Sequence, residues 1–234
     1  MFGEEEKVRY IYKSFSENLS KIPLDKLNKM QEFSSEFFMK QGVTFTVYNN
    51  EKGVERIFPF DIIPRIIHDK EWKIIESAII QRIKALNYFL KDIYHEQFII
   101  KDRIIPAELI AYHPNFLREM RNLSVPEDIY THISGVDLIR NSDGKFYVLE
   151  DNLRTPSGVS YMLENREITR RLYPNLLPQQ NVRQVSNYPQ ILYNQLTTLS
   201  QKPNPVIVLL TPGLYNSAYY EHTALARLMG VELV

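Results

Sequence analysis

The sequence predicts an α/β chain of the α+β kind, in which amphipathic helices and antiparallel hairpins precede the opening of a parallel βαβ unit. Three observations predict it. Apolar and polar residues alternate on both sides of two turn-like stretches, and apolar residues recur three and four apart between Glu71 and Tyr94. The run "PVIVLLTPGLYNSAYYEHTALARLMGVELV" reads as strand, Pro-Gly loop, helix and the start of a further strand.

Taken in order, residues 4 to 40 carry mixed charges with Leu24, Leu27, Met30 and Phe33 at helical spacing, which predicts one or two amphipathic helices. "VTFTVYNNEKGVERIFPF" sets Val43, Phe45 and Val47 against Thr44, Thr46 and Tyr48, passes through an Asn-Asn-Glu-Lys-Gly turn and resumes as a strand, which makes a β-hairpin. Trp72, Ile75, Ile79, Ile83, Leu86, Leu90 and Ile93 form the buried stripe of a long helix. A second hairpin is read in "IYTHISGVDLIRNSDGKFYVLEDN", where Asp143 and Gly144 supply the left-handed backbone of a tight turn. A helix around "YMLENREITRRL" follows, then a connection rich in Pro, Asn and Gln, another helix, and a buried strand in "VIVLL" at 206–210. The expected organisation is a helical segment over 1–40, an α+β lobe over 41–173, a connection over 174–204, and the start of a Rossmann-like domain over 205–234 that stops inside an element.

Composition narrows the function. The 234 residues hold 28 Lys plus Arg and 28 Asp plus Glu, so the basic footprint of a nucleic-acid binder or polybasic membrane protein is missing. With no cysteine there is no disulfide, thiolate metal site or Cys nucleophile. "MFGEEEKVRY" is too acidic for a signal or transit peptide, and "VIVLL" is far short of the roughly 20 apolar residues of a membrane span. A cytoplasmic setting without membrane or nucleic-acid partners is the expectation.

The chemistry concentrates in "KFYVLEDNLRTPSG". Side chains alternate along a strand, so Glu150 and Asn152 share a face and Asp151 takes the other. A two-residue Asp143-Gly144 loop would set Asp137 directly opposite Glu150. A four-residue loop would make them diagonal neighbours about 7–8 Å apart on the same face, and only an odd-length loop would separate them. Two facing carboxylates and an amide oxygen make a hard, doubly anionic surface that calls for a proton or a cation, and Mg²⁺ bridging phosphates suits it better than Ca²⁺ or Zn²⁺. A solvent-facing acidic hairpin is the plainer alternative.

"GVDLI" followed by "DGKFYVLEDNLRTPSG" resembles the metal-binding hairpin of ATP-grasp ligases. Here the hairpin precedes the βαβ start, and with "ERIFPFDIIPRII" and "LTPGLYNSAYYEH" the chain from about Phe37 onward resembles the circularly permuted ATP-grasp proteins described as glutathionylspermidine-synthase-like. The resemblance implies a partial circularly permuted ATP-grasp fold, ATP and Mg²⁺ as cofactors, and Asp137, Glu150 and Asn152 as metal ligands. It also implies that a C-terminal half of the same polypeptide is needed for activity. Gly135 stands where these ligases carry an arginine that steadies the acyl phosphate, so Arg154 or Arg166 is expected to take that role.

Other candidates follow by position. Arg154 could neutralise a transferred phosphoryl group or pair with Glu164 at the surface. Ser157, Gly158 and Ser160 could donate to a nucleotide oxyanion or form an ordinary turn, with Tyr161 and Asn165 just beyond. Asn216 and Ser217, before a helix start, are expected to meet a substrate carboxylate. His68, His95, His113, His132 and His222 show no metal spacing and read as structural. The leading expectation is an ATP-dependent carboxylate-amine ligase acting through an acyl phosphate on small-molecule or peptide acids and amines. A non-catalytic ATP-grasp-like binding protein and a metal-dependent phosphoesterase stand behind it.

Overall fold

The computed structural model describes residues 1, 7–49, 52–57, 59–175 and 181–234. Its elements run α1 (Lys13–Leu19), α2 (Leu24–Gln41), β1 (Thr44–Asn49), β2 (Lys52–Ile57), α3 (Asp69–Tyr94), α4 (Phe98–Lys101), α5 (Glu108–Ala111), β3 (Gly135–Arg140), β4 (Phe146–Asn152), α6 (Val159–Leu172), α7 (Tyr188–Thr197), β5 (Val208–Leu209), α8 (Tyr219–Met229) and β6 (Glu232–Leu233). They fall into two compact units, Met1–Ile66 with Ser157–Val234, and Ile67–Pro156. These units cut across the four segments read from the sequence, because the first hairpin joins the core of α2 and α6 rather than the acidic hairpin.

In the first unit, the fixed φ of Pro23 starts α2, Asp25 and Lys40 complement its dipole at either end, and Gly42 closes it at φ +69°. The chain then enters β1, which pairs antiparallel with β2 from Thr44↔Ile57 to Asn49↔Lys52; the expected turn at Asn50 and Glu51 lies outside the described residues. Phe37, Phe38, Val43, Tyr161 and Ile168 form one buried cluster, and Tyr12, Phe15 and Tyr173 a second. Polar groups are met locally, as where the Ile66 N–H donates to the Tyr12 hydroxyl (2.7 Å) and the Tyr161 hydroxyl to the Thr44 carbonyl (3.2 Å).

The end of this unit is a βαβ: β5 and β6 pair in parallel, Val208↔Glu232 and Leu209↔Leu233, with α8 between them and Gly230 (φ +68°) turning the chain out of the helix. The expectation of a buried strand at 206–210 is corrected here. The strand has two residues, Val206 is 89% exposed, and Leu210 is also exposed, since the described chain covers only one side of the pair.

In the second unit, a capping box starts α3: the Lys70 N–H donates to His68 Nδ1 and the His68 N–H to Glu71 Oε2. Ile75 and Ile93 are buried and Ile79, Ile83, Leu86 and Leu90 half-buried, as the stripe predicts, while Trp72 at its first turn is 40% exposed. The core gathers Ile93, Tyr94 and Ile110 under Phe116 and Tyr130. The second hairpin begins at Gly135 rather than Ile129, because the N–H groups of Tyr130 and Thr131 donate to Asn87 Oδ1 on α3 (2.7 and 3.0 Å) instead of to a strand.

Candidate functional site

The register of the acidic hairpin decides which side chains meet. Arg140 pairs with Phe146, so residues 141–145 connect the strands, an odd number, held by the Gly144 N–H donating to the Asn141 carbonyl and by Gly144 at φ +78°. Continued regularly, that register would set Asp137 against Leu149. A β-bulge shifts it between Asp137 and Leu138: Leu138 pairs with Val148, Leu149 is passed over, Asp137 stands opposite Glu150, and Gly135 opposite Asn152. An irregularity thus gives the pairing expected from an even loop.

Asp137, Glu150 and Asn152 are all exposed, and Asn152 Nδ2 donates to Glu150 Oε1 (3.2 Å), leaving the amide oxygen as a free acceptor beside two carboxylates. Neither Asp137 nor Glu150 has an ion-pair partner among the described residues. Asp151, on the opposite face, is treated differently. Its carboxylate takes both Arg82 Nε (2.7 Å) and Nη2 (2.6 Å), which fastens β4 to α3. The Arg82 hydrogen bonds hold the Asp151 carboxyl below its ordinary range and push the guanidinium up. Sequence reading placed Asp151 on the other face but did not find its partner, 69 residues earlier. Arg140, paired with Glu71 and stacked over Phe146, makes a second link from this hairpin to α3.

Gly135 stands close under its neighbours. A Cβ built there would lie 2.8 Å from Pro156 Cβ and 3.5 Å from Asn152 Cβ, so these two side chains leave little room at the position where the resemblance led to an arginine being expected. Arg154 is exposed in the turn after β4.

The first unit holds the remaining candidates. Gly158 (φ +113°) precedes α6, and its N–H donates to both oxygens of Glu221 (2.8 Å each), while the Ser160 N–H donates to Glu221 Oε2 (2.8 Å). Glu221 comes from the first turn of α8 and is 4% exposed, so a carboxylate of the chain itself caps α6. Of the two alternatives for Gly158 and Ser160, donors to a nucleotide or an ordinary turn, the structure places their amides on Glu221 and buries Ser160. Ser157 remains exposed. Arg166 is half-buried and donates to the Arg183 carbonyl (2.6 Å), and burial lowers its pKa from the ordinary value. Glu221 is the residue the sequence did not reveal, since an acid in a helix's first turn reads as an ordinary surface group.

Asn216 and Ser217 line a cavity of about 360 Å³ running along α8. His68 caps α3, His95 meets the Tyr130 hydroxyl (2.8 Å), His113 accepts the Asn115 N–H (3.2 Å) and His222 meets Thr211 Oγ1 (2.8 Å); His132 is exposed. Among the described residues no three His, Cys, Asp or Glu side chains cluster to hold a metal, and no helix is long and apolar enough to cross a membrane.

Comparison with known proteins adds a lineage. Residues 64–234 match the family described as circularly permuted ATP-grasp type 2. A protein of Synechocystis named only as uncharacterized is 50% identical over 195 residues, 82% of this chain and 40% of that protein. One of Mycobacterium leprae, likewise uncharacterized, is 42% identical over 236 residues, all of this chain and 41% of its own length. A Frankia alni protein named "Putative glutamate–cysteine ligase 2-3" is 34% identical over 234 residues, 99% of this chain and 27% of that protein. The chain spans about two fifths of the length of the first two relatives.

Proposed function

We propose, from the premise that this chain belongs to the circularly permuted ATP-grasp type 2 family, that its protein is an ATP-dependent carboxylate-amine ligase. The observation that carries the reading is the opposition of Asp137 and Glu150 across a bulge, with Asn152 beside them and, among the described residues, no basic side chain paired with either acid. Two carboxylates so placed repel unless a cation lies between them. The donor set, two carboxylates and an amide oxygen, suits Mg²⁺ shared with nucleotide phosphates. Bound there, Mg²⁺ would supply charge neutralisation of the β- and γ-phosphates.

The chain's own residues then have distinct tasks. Asp137 and Glu150 provide the negative charge, Asn152 a neutral oxygen, and Asp151 holds the strand from behind through Arg82. Arg154 offers a planar cation to the transferred phosphoryl group. In the reaction a substrate carboxylate oxygen attacks the γ-phosphorus and ADP leaves. An amine then attacks the acyl carbon, phosphate departs, and the amine loses its proton as the amide forms. The names of the Frankia relatives make glutamate with cysteine the first pair to try.

The test is formation of ADP from Mg-ATP across paired acids and amines, with hydroxylamine added to trap an acyl phosphate as the hydroxamate. ADP and hydroxamate formation that depends on the acid, and falls at least about 100-fold in Asp137→Asn and Glu150→Gln without a change in folding, is the expected result. Undiminished turnover of both variants through a magnesium titration would remove the hairpin from the mechanism. The contact of Gly135 with Pro156 favours a second reading, a non-catalytic relative that binds nucleotide, because it closes the position of the expected arginine. In that case Mg-ATP binds and no hydroxamate forms.

A further inference from the structure

The cavity along α8 has an uneven chemistry. Tyr219, Thr223 and Arg227, at four-residue spacing, share one helix face that forms its length, and Gln41 and Gly42 from the end of α2 form the facing wall. Eight residues of helix separate Tyr219 from Arg227, a run of about 12 Å. No Asp or Glu is among its described lining residues. Arg227 is exposed and makes no ion pair among the described residues, and Glu221 from the same helix is committed to Gly158 and Ser160. Burial, and after it the Glu164 carboxylate, pushes the Tyr220 hydroxyl up, and Glu164 does not line the cavity.

The other end is lined with donors. Asn216 uses Oδ1 to accept the Ala218 N–H (2.9 Å), so its Nδ2 is the group left for a ligand, and the Ser217 hydroxyl is exposed beside it. Both lie where the field of α8 is positive. Leu214 and Tyr220 supply apolar surface to the same cavity. A groove of this volume lies within the range of small-molecule sites.

We propose that this groove binds an elongated dicarboxylic acid, one carboxylate at Arg227 and the other at Asn216 and Ser217. That this acid is the substrate to be activated rests on the ligase reading; that it binds does not. An anion at the first end gains a guanidinium that makes no ion pair among the described residues, and an acceptor oxygen at the second gains two neutral donors.

The probes are linear dicarboxylates from glutarate to sebacate, with octanoate as the one-ended control, titrated calorimetrically into the 234-residue chain without nucleotide or magnesium. Affinity is expected to peak at the chain length that spans the groove and to exceed that of octanoate. Arg227→Gln should weaken the best dicarboxylate about tenfold and flatten the length dependence, while Arg227→Lys keeps the optimum. The exposure of Arg227 makes both variants safe for folding, which thermal unfolding verifies. Absence of binding, absence of a length optimum, or equal binding by Arg227→Gln overturns the proposal. Because neither ATP nor magnesium is present, binding is read independently of ligation, so failure of the groove and failure of the ligase reading give different results.

Discussion

Glu221 on α8 and Glu150 on β4 are two glutamates whose surroundings are opposite. Glu221 is almost wholly buried, yet its charge is met by the N–H groups of Gly158 and Ser160 at the start of α6. Glu150 is in water, yet it faces a second acid, Asp137, and among the described residues receives only the Asn152 amide. Burial therefore does not mark the carboxylate that the fold leaves unsatisfied. The carboxylate answered by the chain's own dipoles is architectural, and the one set against a like charge carries a repulsion that no described basic side chain offsets.

The largest effect is expected where the internal answer is removed. Glu221→Ala strips the acceptor from one buried and one half-buried amide and opens a void, and should cost about 2–4 kcal/mol in denaturant unfolding. A wild-type midpoint would end the contrast. Gly135→Ala comes next: its new Cβ meets Pro156, and the strand behind the acidic face must shift at a cost of roughly 1–3 kcal/mol.

Asp151→Asn should be milder and pH-dependent. The Asp151 carboxyl is held below its ordinary value by Arg82, so its contribution is fully present above the unfolded pKa of about 3.9 and disappears as pH falls through the lower folded value. Parent and variant should differ in thermal midpoint at neutral pH and converge in acid. A difference that persists at pH 2 would mean the carboxylate acts through packing rather than charge. Smallest of all is Asp137→Asn, expected within about 0.5 kcal/mol of the parent or slightly above it, because it relieves repulsion without touching the core. Added magnesium should raise the thermal midpoint of the parent more than that of this variant. A loss comparable to that of Glu221→Ala would make Asp137 structural.

Much of this was legible in the sequence where a single period governs. The α3 stripe from Ile75 to Ile93 and the turn at Asp143 and Gly144 follow from spacing and backbone preference alone. Trp72, at the first helical turn, departs from the stripe by standing 40% exposed. The opposition of Asp137 and Glu150 was read for a different reason from the one that produces it: the connection is odd and a bulge at Leu149 compensates, and nothing in Val-Leu-Glu distinguishes a bulged residue from one in register. Partnerships across long separations, Arg82 with Asp151 and Glu221 with Gly158, depend on tertiary placement and leave no local pattern.

The close approach of Pro156 to Gly135 bears on the history open to this chain. The first atom of any side chain at position 135, an arginine included, would meet Pro156 Cβ at 2.8 Å, so a substitution there carries a cost until the strand or the turn at Pro156 shifts. A change at Pro156 that comes first removes that cost. The two positions are therefore coupled, and the effect of a residue at 135 depends on which residue already stands at 156.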